Sequence, residues 1–244
     1  MKEVGLQTIV NNIKFERDIF NPDLSEVSKG YFYVMPMQQN LLLGVRQEET
    51  FLQELLLHLE KQQSKDQMSS VKEIYFATAY FNPSLSLYDA MFRTCADKFT
   101  FLTSAKEANS FFGAPWPKGT VPHYYERLYS FMMKRAKKTV SDPERLRYYK
   151  YMKLGWTFHA KEFAVSTEEG MLTTIGSSNF AGRSHTRDNE LTCFVWTDSK
   201  DMIKTVEHSR QKMLEHSHRV TEQELAKAKG RKMSDWLLDA LKLF

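Results

Sequence analysis

Residues 156–165 read WTFHAKEFAV, residues 172–175 read LTTI, and residues 191–196 read LTCFVW. The first segment alternates between polar and apolar residues, and the other two are short and rich in β-branched or aromatic residues. This pattern predicts three consecutive strands. Because the connection between the first two is short, they are expected to lie side by side in a sheet.

The residues before this block predict an alternation of helices and strands. Residues 47–59 repeat apolar side chains at helical spacing, whereas residues 74–80 (IYFATAY) and 98–103 (KFTFLT) are typical of strands. Residues 124–138 are predicted to be helical and basic. Helices and strands that alternate in this way predict an α/β fold.

The chain is interpreted as four segments. Residues 1–60 form an N-terminal part of the same lobe, the polar residues 61–70 form a linker, residues 71–200 form the catalytic half, and residues 201–244 form a helical tail. Residues 234–244 predict a short amphipathic helix with Ser234 as its N-cap. Such a helix either packs on its own domain or lies in a membrane interface.

Composition excludes several classes of protein. With 244 residues, 42% of them hydrophobic and 26% charged, the chain can bury an ordinary core. Two cysteines argue against a disulfide framework or a cysteine-rich metal site. The sequence has no apolar stretch long enough to span a bilayer, and its N-terminus shows neither a secretory nor a transit signal. A net charge of +4 suits an anionic lipid surface, a nucleotide or a nucleic acid equally well.

A histidine and a lysine in the segment 156–165 indicate the chemistry of the three predicted strands. His159 and Lys161 stand two apart on the first predicted strand, so both side chains point to one face. The next strand ends in a Gly-Ser-Ser-Asn turn at residues 176–179, which is expected to bring Asn179 beside them. Of the seven histidines, only His159 combines the His-any-Lys pattern with such a turn.

These residue types suit phosphodiester chemistry. A neutral His159 imidazole can attack phosphorus and form a phosphohistidine, while Lys161 neutralises the phosphate oxygens. Asn179 and the Ser177 hydroxyl can donate hydrogen bonds where negative charge builds up. Glu190 could hold the imidazole Nδ1–H and so fix the tautomer. The scheme requires no metal and no cofactor.

The order of the motifs resembles a known family. His159-Ala160-Lys161 followed by residues 176–179 is similar to the HKD motif of the phospholipase D superfamily, although Ser166 stands where that motif usually has aspartate. Several other segments, in the same order along the chain, resemble the phosphatidylglycerophosphate synthases. They are residues 79–82 (AYFN), the Gly-rich loop 104–122, and residues 155–161 (GWTFHAK), 174–180 (TIGSSNF) and 187–190 (RDNE). These synthases also tend to lack the aspartate.

The resemblance implies a fold and a reaction. It implies a phospholipase D-like mixed sheet flanked by helices, one HKD half of a two-lobed fold. The implied substrates are CDP-diacylglycerol and glycerol 3-phosphate, with Arg183 and Arg187 as candidate phosphate clamps. Peripheral attachment to a mitochondrial membrane is implied too, and nucleic acid is not expected as a partner.

The superfamily builds its site from two such motifs, and this sequence contains one. An N-terminal half could supply the other, or a second copy of the chain could do so. His159 is accordingly either the nucleophile or the acid/base partner of another histidine. Two other functions stay open: a homodimeric phospholipase D-type nuclease or phosphodiesterase, and an inactive membrane-associated remnant.

Overall fold

The structure, a computed structural model, describes residues 30–63, 71–94, 96–221 and 223–224. The strands within these residues are β1 (Phe32–Asn40), β2 (Val45–Arg46), β3 (Glu73–Thr78), β4 (Lys98–Ser104), β5 (Leu146–Tyr151), β6 (Lys161–Ser166), β7 (Met171–Gly176), β8 (Glu190–Thr197) and β9 (Ser217–Arg219). The α-helices are α1 (Gln47–Gln63), α2 (Leu85–Arg93), α3 (Val121–Thr139), α4 (Gly182–Thr186) and α5 (Lys200–Leu214).

The strands form one mixed sheet in the order β2-β1-β8-β7-β6-β3-β4-β5-β9. β3, β4 and β5 are parallel, and every other neighbouring pair is antiparallel. The predicted fold class, a mixed sheet flanked by helices, is confirmed. β1 and β2 belong to the same sheet as the strands of residues 71–200, so residues 32–40 and 45–46 share that sheet.

Aromatic packing at the centre of the sheet explains why β3 and β4 read as continuous apolar runs. Both strands are buried on their two faces, as parallel strands under helices are. Phe76 of β3 is fully buried, and its ring lies 5.4 Å from Phe81 and 6.3 Å from Phe163. Burial of these rings is a large apolar contribution that stabilises the central strands.

Helices cover the two faces unequally. α1, α2 and α3 pack on one face, where the Tyr88 and Tyr148 hydroxyls lie 2.8 Å apart and join α2 to β5. α5 covers part of the other face, and its Arg210 donates to Glu162 at 2.6 Å and lies over the Tyr75 ring. Among the described residues, none of the helices combines the length and apolar character needed to cross a bilayer.

The structure corrects three boundaries. The strand predicted at 156–165 begins only at Lys161, because Gly155 turns the chain with φ +75° and the Phe158 N–H bonds to the Ala108 carbonyl instead of to a neighbouring strand. Helix α1 continues to Gln63, three residues into the predicted linker. The predicted helical tail contains β9, which pairs with the edge of β5 and satisfies its backbone groups. The rest of the linker and the predicted helix at 234–244 lie outside the described residues.

Candidate active site

Four strand ends bring the predicted site residues to one edge of the sheet. β6 begins at Lys161, which pairs with Thr78 at the end of β3. β7 is antiparallel to β6, so its carboxyl end, followed closely by Asn179, returns to the same edge. β8 begins there with Glu190. The fold therefore brings the Gly-Ser-Ser-Asn turn back to the segment around Lys161.

The His159 ring lies in contact with the Lys161 side chain, in the extended segment just before β6. The Lys161 Nζ is 3.1 Å from His159 Nδ1 and 3.2 Å from Nε2. Nearly equal distances to both nitrogens place the ammonium over the ring rather than in line with one lone pair. Partial desolvation of the ring lowers the pKa of His159 below its usual value, and the Lys161 cation lowers it further. The ring is thus neutral at neutral pH, as a nucleophile must be.

This contact predicts a measurable shift. In the Lys161→Met variant the pKa of His159 should rise, because the neighbouring cation that disfavours imidazolium is gone. Because a lowered pKa keeps the ring neutral to lower pH, loss of Lys161 moves protonation of the ring to higher pH. An NMR titration of the imidazole would measure this change. Lys204→Met, on the exposed face of α5, is the control; a His159 pKa that stays constant or falls in Lys161→Met contradicts the coupling.

Asn179 is oriented by a buried threonine that the sequence did not single out. The Thr78 hydroxyl donates to Asn179 Oδ1 at 3.2 Å, and Thr78 is fully buried. The Asn179 backbone N–H donates to Ser184 Oγ at 3.2 Å. With its oxygen engaged, the carboxamide presents its NH₂ group as the donor, which is the polarity that a phosphate oxygen requires. Thr78 directly precedes the 79–82 motif, and this position next to a motif is the sequence feature that could have identified it.

The turn that carries Asn179 is anchored in the core by Phe180. This residue has φ +52°, a left-handed conformation that is unusual for a bulky side chain. Its ring is 1% exposed and packs 5.8 Å from Phe76 and 6.2 Å from Phe163. Burial of the ring offsets the backbone strain, and the turn is held in one shape.

Glu190 and Ser177 contact each other. The Ser177 hydroxyl donates to Glu190 Oε2 at 2.5 Å and accepts from the Leu191 N–H at 3.1 Å. The carboxylate thus accepts a hydrogen bond from Ser177, because the ends of β7 and β8 place the two residues close together. Its charge also opposes the desolvation that lowers the pKa of Lys161. A bond from Glu190 to the imidazole Nδ1–H, and a phosphate contact for Ser177, stay predictions.

The two candidate arginines lie on and beside α4. Arg183 is paired with Asp188 through Nε at 2.9 Å and faces the neighbouring cavity. Arg187 is exposed at the end of the helix. In this pair the Arg183 guanidinium donates to Asp188 through Nε, so its terminal NH₂ groups could donate to an anion. Phosphate binding by either arginine stays a prediction.

A cavity of about 440 Å³ opens beside Asn179. Its apolar wall consists of Tyr80, Phe111, Pro117, Val121 and Tyr125, and its polar wall of Lys118, Asn179, Arg183, Ser184 and Asp188. The aromatic loop 109–123, for which binding residues were expected, thus supplies part of the wall. Tyr80 joins the loop to α3, with its ring 6.3 Å from Phe111 and 5.2 Å from Tyr125. A cavity of this size and lining suits a small organic ligand that carries a charged group.

A buried carboxylate from α1 accepts a hydrogen bond from the turn at residues 176–179. Glu48 is fully buried and accepts from Ser178 Oγ at 2.7 Å and Thr192 Oγ1 at 2.5 Å. Its Oε1 also lies 3.4 Å from His185 Nε2. Glu48 joins the N-terminal helix to the turn across more than a hundred residues of sequence, so no local pattern could have identified it.

The arrangement offers an imidazole and an ammonium at the sheet edge to which an amide donor returns, and that donor, Asn179, also lines the cavity. That set can bind a phosphate diester and form a covalent bond to its phosphorus. In the part of the chain that the structure describes, no group of three or more His, Cys, Asp or Glu residues is placed to hold a metal ion.

The fold is an α/β lobe built on one mixed sheet that helices flank, and the predicted site residues lie at one edge of that sheet. In the solved phosphatidylserine synthase of Haemophilus influenzae Rd KW20 the same fold covers 86% of this chain and 44% of that one, with a TM-score of 0.64 and 16% identity. This likeness concerns the fold. No family model matches the chain.

Similarity of sequence points to a particular group of enzymes, whereas the structural likeness concerns the fold alone. The mitochondrial CDP-diacylglycerol–glycerol-3-phosphate 3-phosphatidyltransferase of Gallus gallus is 29% identical over 199 residues, which cover 78% of this chain and 33% of that protein. The Homo sapiens protein of the same name is 30% identical over 145 residues, which cover 58% and 26%. The chain therefore spans about a third or less of the length of these relatives. They confirm the resemblance to the phosphatidylglycerophosphate synthases that the motifs indicate.

Proposed function

We propose that this chain is the C-terminal half of a phosphatidyl-transfer site, which moves a phosphatidyl group from CDP-diacylglycerol to glycerol 3-phosphate. The observation that carries the proposal is the contact of His159 with Lys161 on the sheet edge where Asn179 returns. The names of the sequence relatives support the choice of substrates. The products would be phosphatidylglycerophosphate and CMP.

The first step is attack by a neutral imidazole nitrogen of His159 on the phosphorus that bears the diacylglycerol. A nitrogen–phosphorus bond forms as the bond from that phosphorus to the bridging oxygen of the CMP group breaks, and the electron pair leaves with CMP. Lys161 balances the charge on the non-bridging oxygens, and the Asn179 amide donates to one of them. The leaving oxygen takes a proton from an acid that this chain's single motif does not supply.

The second step returns the enzyme to its starting state. A hydroxyl oxygen of glycerol 3-phosphate attacks the same phosphorus and loses its proton to the base formed in the first step. The nitrogen–phosphorus bond breaks, and its electron pair returns to the imidazole. If the missing group is itself a histidine nucleophile, His159 takes the acid and base role instead, with the same balance of atoms.

The cavity beside Asn179 is proposed to hold the acceptor or the nucleotide. Its aromatic wall provides ring faces, and Arg183 and Lys118 provide the positive charge that a phosphate needs. Arg187, one turn further along α4, is proposed as a second clamp. Glu190 is proposed to act in this site through Ser177 and through its charge on Lys161.

Completion of the site requires a second motif. We propose that an N-terminal half supplies it, because the chain aligns with only part of each relative. A second copy of this chain is the other arrangement that provides two histidines. A mitochondrial location at a membrane surface is proposed because the sequence relatives are mitochondrial proteins and the proposed donor is a lipid.

The proposal is tested by transfer of label from CDP-diacylglycerol to glycerol 3-phosphate in detergent micelles. The chain is assayed alone and together with the N-terminal part of the Gallus gallus relative. Product in either assay supports the proposal, and activity of the chain alone assigns the second histidine to another copy. A folded chain that gives no product in either assay, yet cleaves a nucleic acid or a simple phosphodiester, overturns it in favour of a hydrolase.

A further inference from the structure

Two loops that frame the candidate site carry large apolar side chains on their surfaces. Leu154 is 99% exposed and Trp116 is 85% exposed. Trp156 and Phe112, at 60% and 50%, lie in the same two loops. Buried residues of these types would each stabilise the fold, so their exposure in neighbouring segments marks a surface that binds something apolar. The residues 109–120 and 152–160 are called the apolar rim below.

The two loops lie side by side because of the strand order. β4 and β5 are parallel neighbours, and their last residues, Ser104 and Tyr151, are paired, so both loops leave the sheet at adjacent points. The Phe158 N–H donates to the Ala108 carbonyl at 2.9 Å and ties one loop to the other. The rim is therefore one surface with a defined shape.

Each loop is also fixed internally. Asn109 accepts from the Phe111 N–H through its side chain at 3.0 Å and from the Phe112 N–H through its carbonyl at 2.9 Å. In the second loop the Trp156 N–H bonds to the Lys153 carbonyl at 3.0 Å. The exposed rings are thus held outward by hydrogen-bonded turns.

The charge of the rim has one sign. Residues 109–120 and 152–160 contain Lys118 and Lys153 and neither aspartate nor glutamate. Lys118 is exposed, and Lys153 lies with its Nζ 4.3 Å from the centre of the Trp156 ring. Tryptophan, leucine and lysine without acids form the composition that proteins place at the boundary between lipid headgroups and acyl chains. Electrostatic attraction of the lysines selects an anionic surface.

We propose that the apolar rim docks on an anionic phospholipid bilayer and opens the site toward it. His159 lies within one rim loop, and Phe111, Pro117 and Lys118 of the other loop line the cavity beside Asn179. A bilayer seated on the rim would place lipid headgroups at the cavity mouth. The choice of a lipid surface over a protein partner rests on the proposed function, in which the donor substrate is a membrane lipid.

The test is flotation of the full chain with vesicles of phosphatidylcholine and phosphatidylserine that contain no CDP-diacylglycerol. The double variant Trp116→Glu, Leu154→Glu is expected to partition about a hundredfold more weakly, since two apolar anchors become anions. Phe112→Glu is expected to weaken binding by about tenfold. Its matched control is Phe131→Glu on α3, which is 53% exposed but lies outside the rim and should bind like the unmodified chain.

Several outcomes would overturn the inference. One is a double variant that floats like the unmodified chain; another is loss of binding on truncation before Ser234 while the rim variants keep theirs. A third is a rim variant that converts a dimer into a monomer without vesicles, since the rim would then be a protein interface. Because these vesicles lack the donor substrate, failure of the transferase proposal leaves the flotation result interpretable, and the unfolding midpoints of the variants report whether each one is folded.

Discussion

Replacing His159 with alanine is expected to lower kcat for phosphatidyl transfer by about four orders of magnitude or more, the usual cost of removing a nucleophile or its acid/base partner. The assay uses this chain together with whatever supplies the second histidine. Lys161 and Asn179 remain in the variant, so substrate binding should change far less than turnover. The fold should be unaffected, since the His159 side chain is exposed at the edge of the sheet.

The matched control is His208→Ala, an exposed histidine on α5 that lies outside the site. It should retain the activity of the unmodified chain. Quenching of the reaction with labelled CDP-diacylglycerol in alkaline detergent, in which a histidine–phosphorus bond survives, distinguishes the two roles of His159. Label on His159 identifies the nucleophile, whereas label on another histidine identifies His159 as the acid and base. A His159→Ala variant that keeps its turnover within a factor of ten, roughly 1.4 kcal/mol, would remove His159 from the mechanism.

The parts of the fold that sequence could predict are those with local signals. β6, β7 and β8 follow one another along the chain and pair as neighbours, so strand patterns and short connections were sufficient. β1 was missed. Its sequence, FYVMPMQQN, includes Pro36 and two glutamines, and it becomes a strand because it pairs with β8, whose first residue follows its last by 150 positions. Long-range pairing overrides a weak local preference in such cases.

The site likewise contains residues that local motifs could predict and residues that only the assembled sheet brings into place. His159, Lys161 and Asn179 stand in two short motifs, and the pairing of β6 with β7 brings those motifs together. Thr78 and Glu48 act on the turn from elements far away in the sequence, so their roles depend on the assembled sheet. The alternation of residue types predicted that His159 lies on a strand. The strand begins only at Lys161, because the chain turns at Gly155, and alternation carries no information about that turn.

Glu48 is the position where the fold and the site are most tightly joined, and Glu48→Ala is expected to lower the free energy of unfolding by about 3–5 kcal/mol. The carboxylate is fully buried and accepts hydrogen bonds from Ser178 and Thr192 while facing His185. Its removal leaves those donors without an acceptor and opens a void in the core. Urea unfolding with a two-state analysis measures the loss.

Two further variants separate the polar network from simple truncation of helix α1. Glu48→Gln keeps the size and one acceptor oxygen and should cost only about 1–3 kcal/mol, because it leaves one donor unsatisfied. Glu54→Ala, an exposed glutamate on the same helix, should stay within about 0.5 kcal/mol of the unmodified chain. Stability of Glu48→Ala equal to that of Glu54→Ala would contradict the network. Since Ser178 stands between Ser177 and Asn179, the loss should also reach the site, and the amide NMR signal of the Asn179 side chain should shift in Glu48→Ala more than in Glu48→Gln.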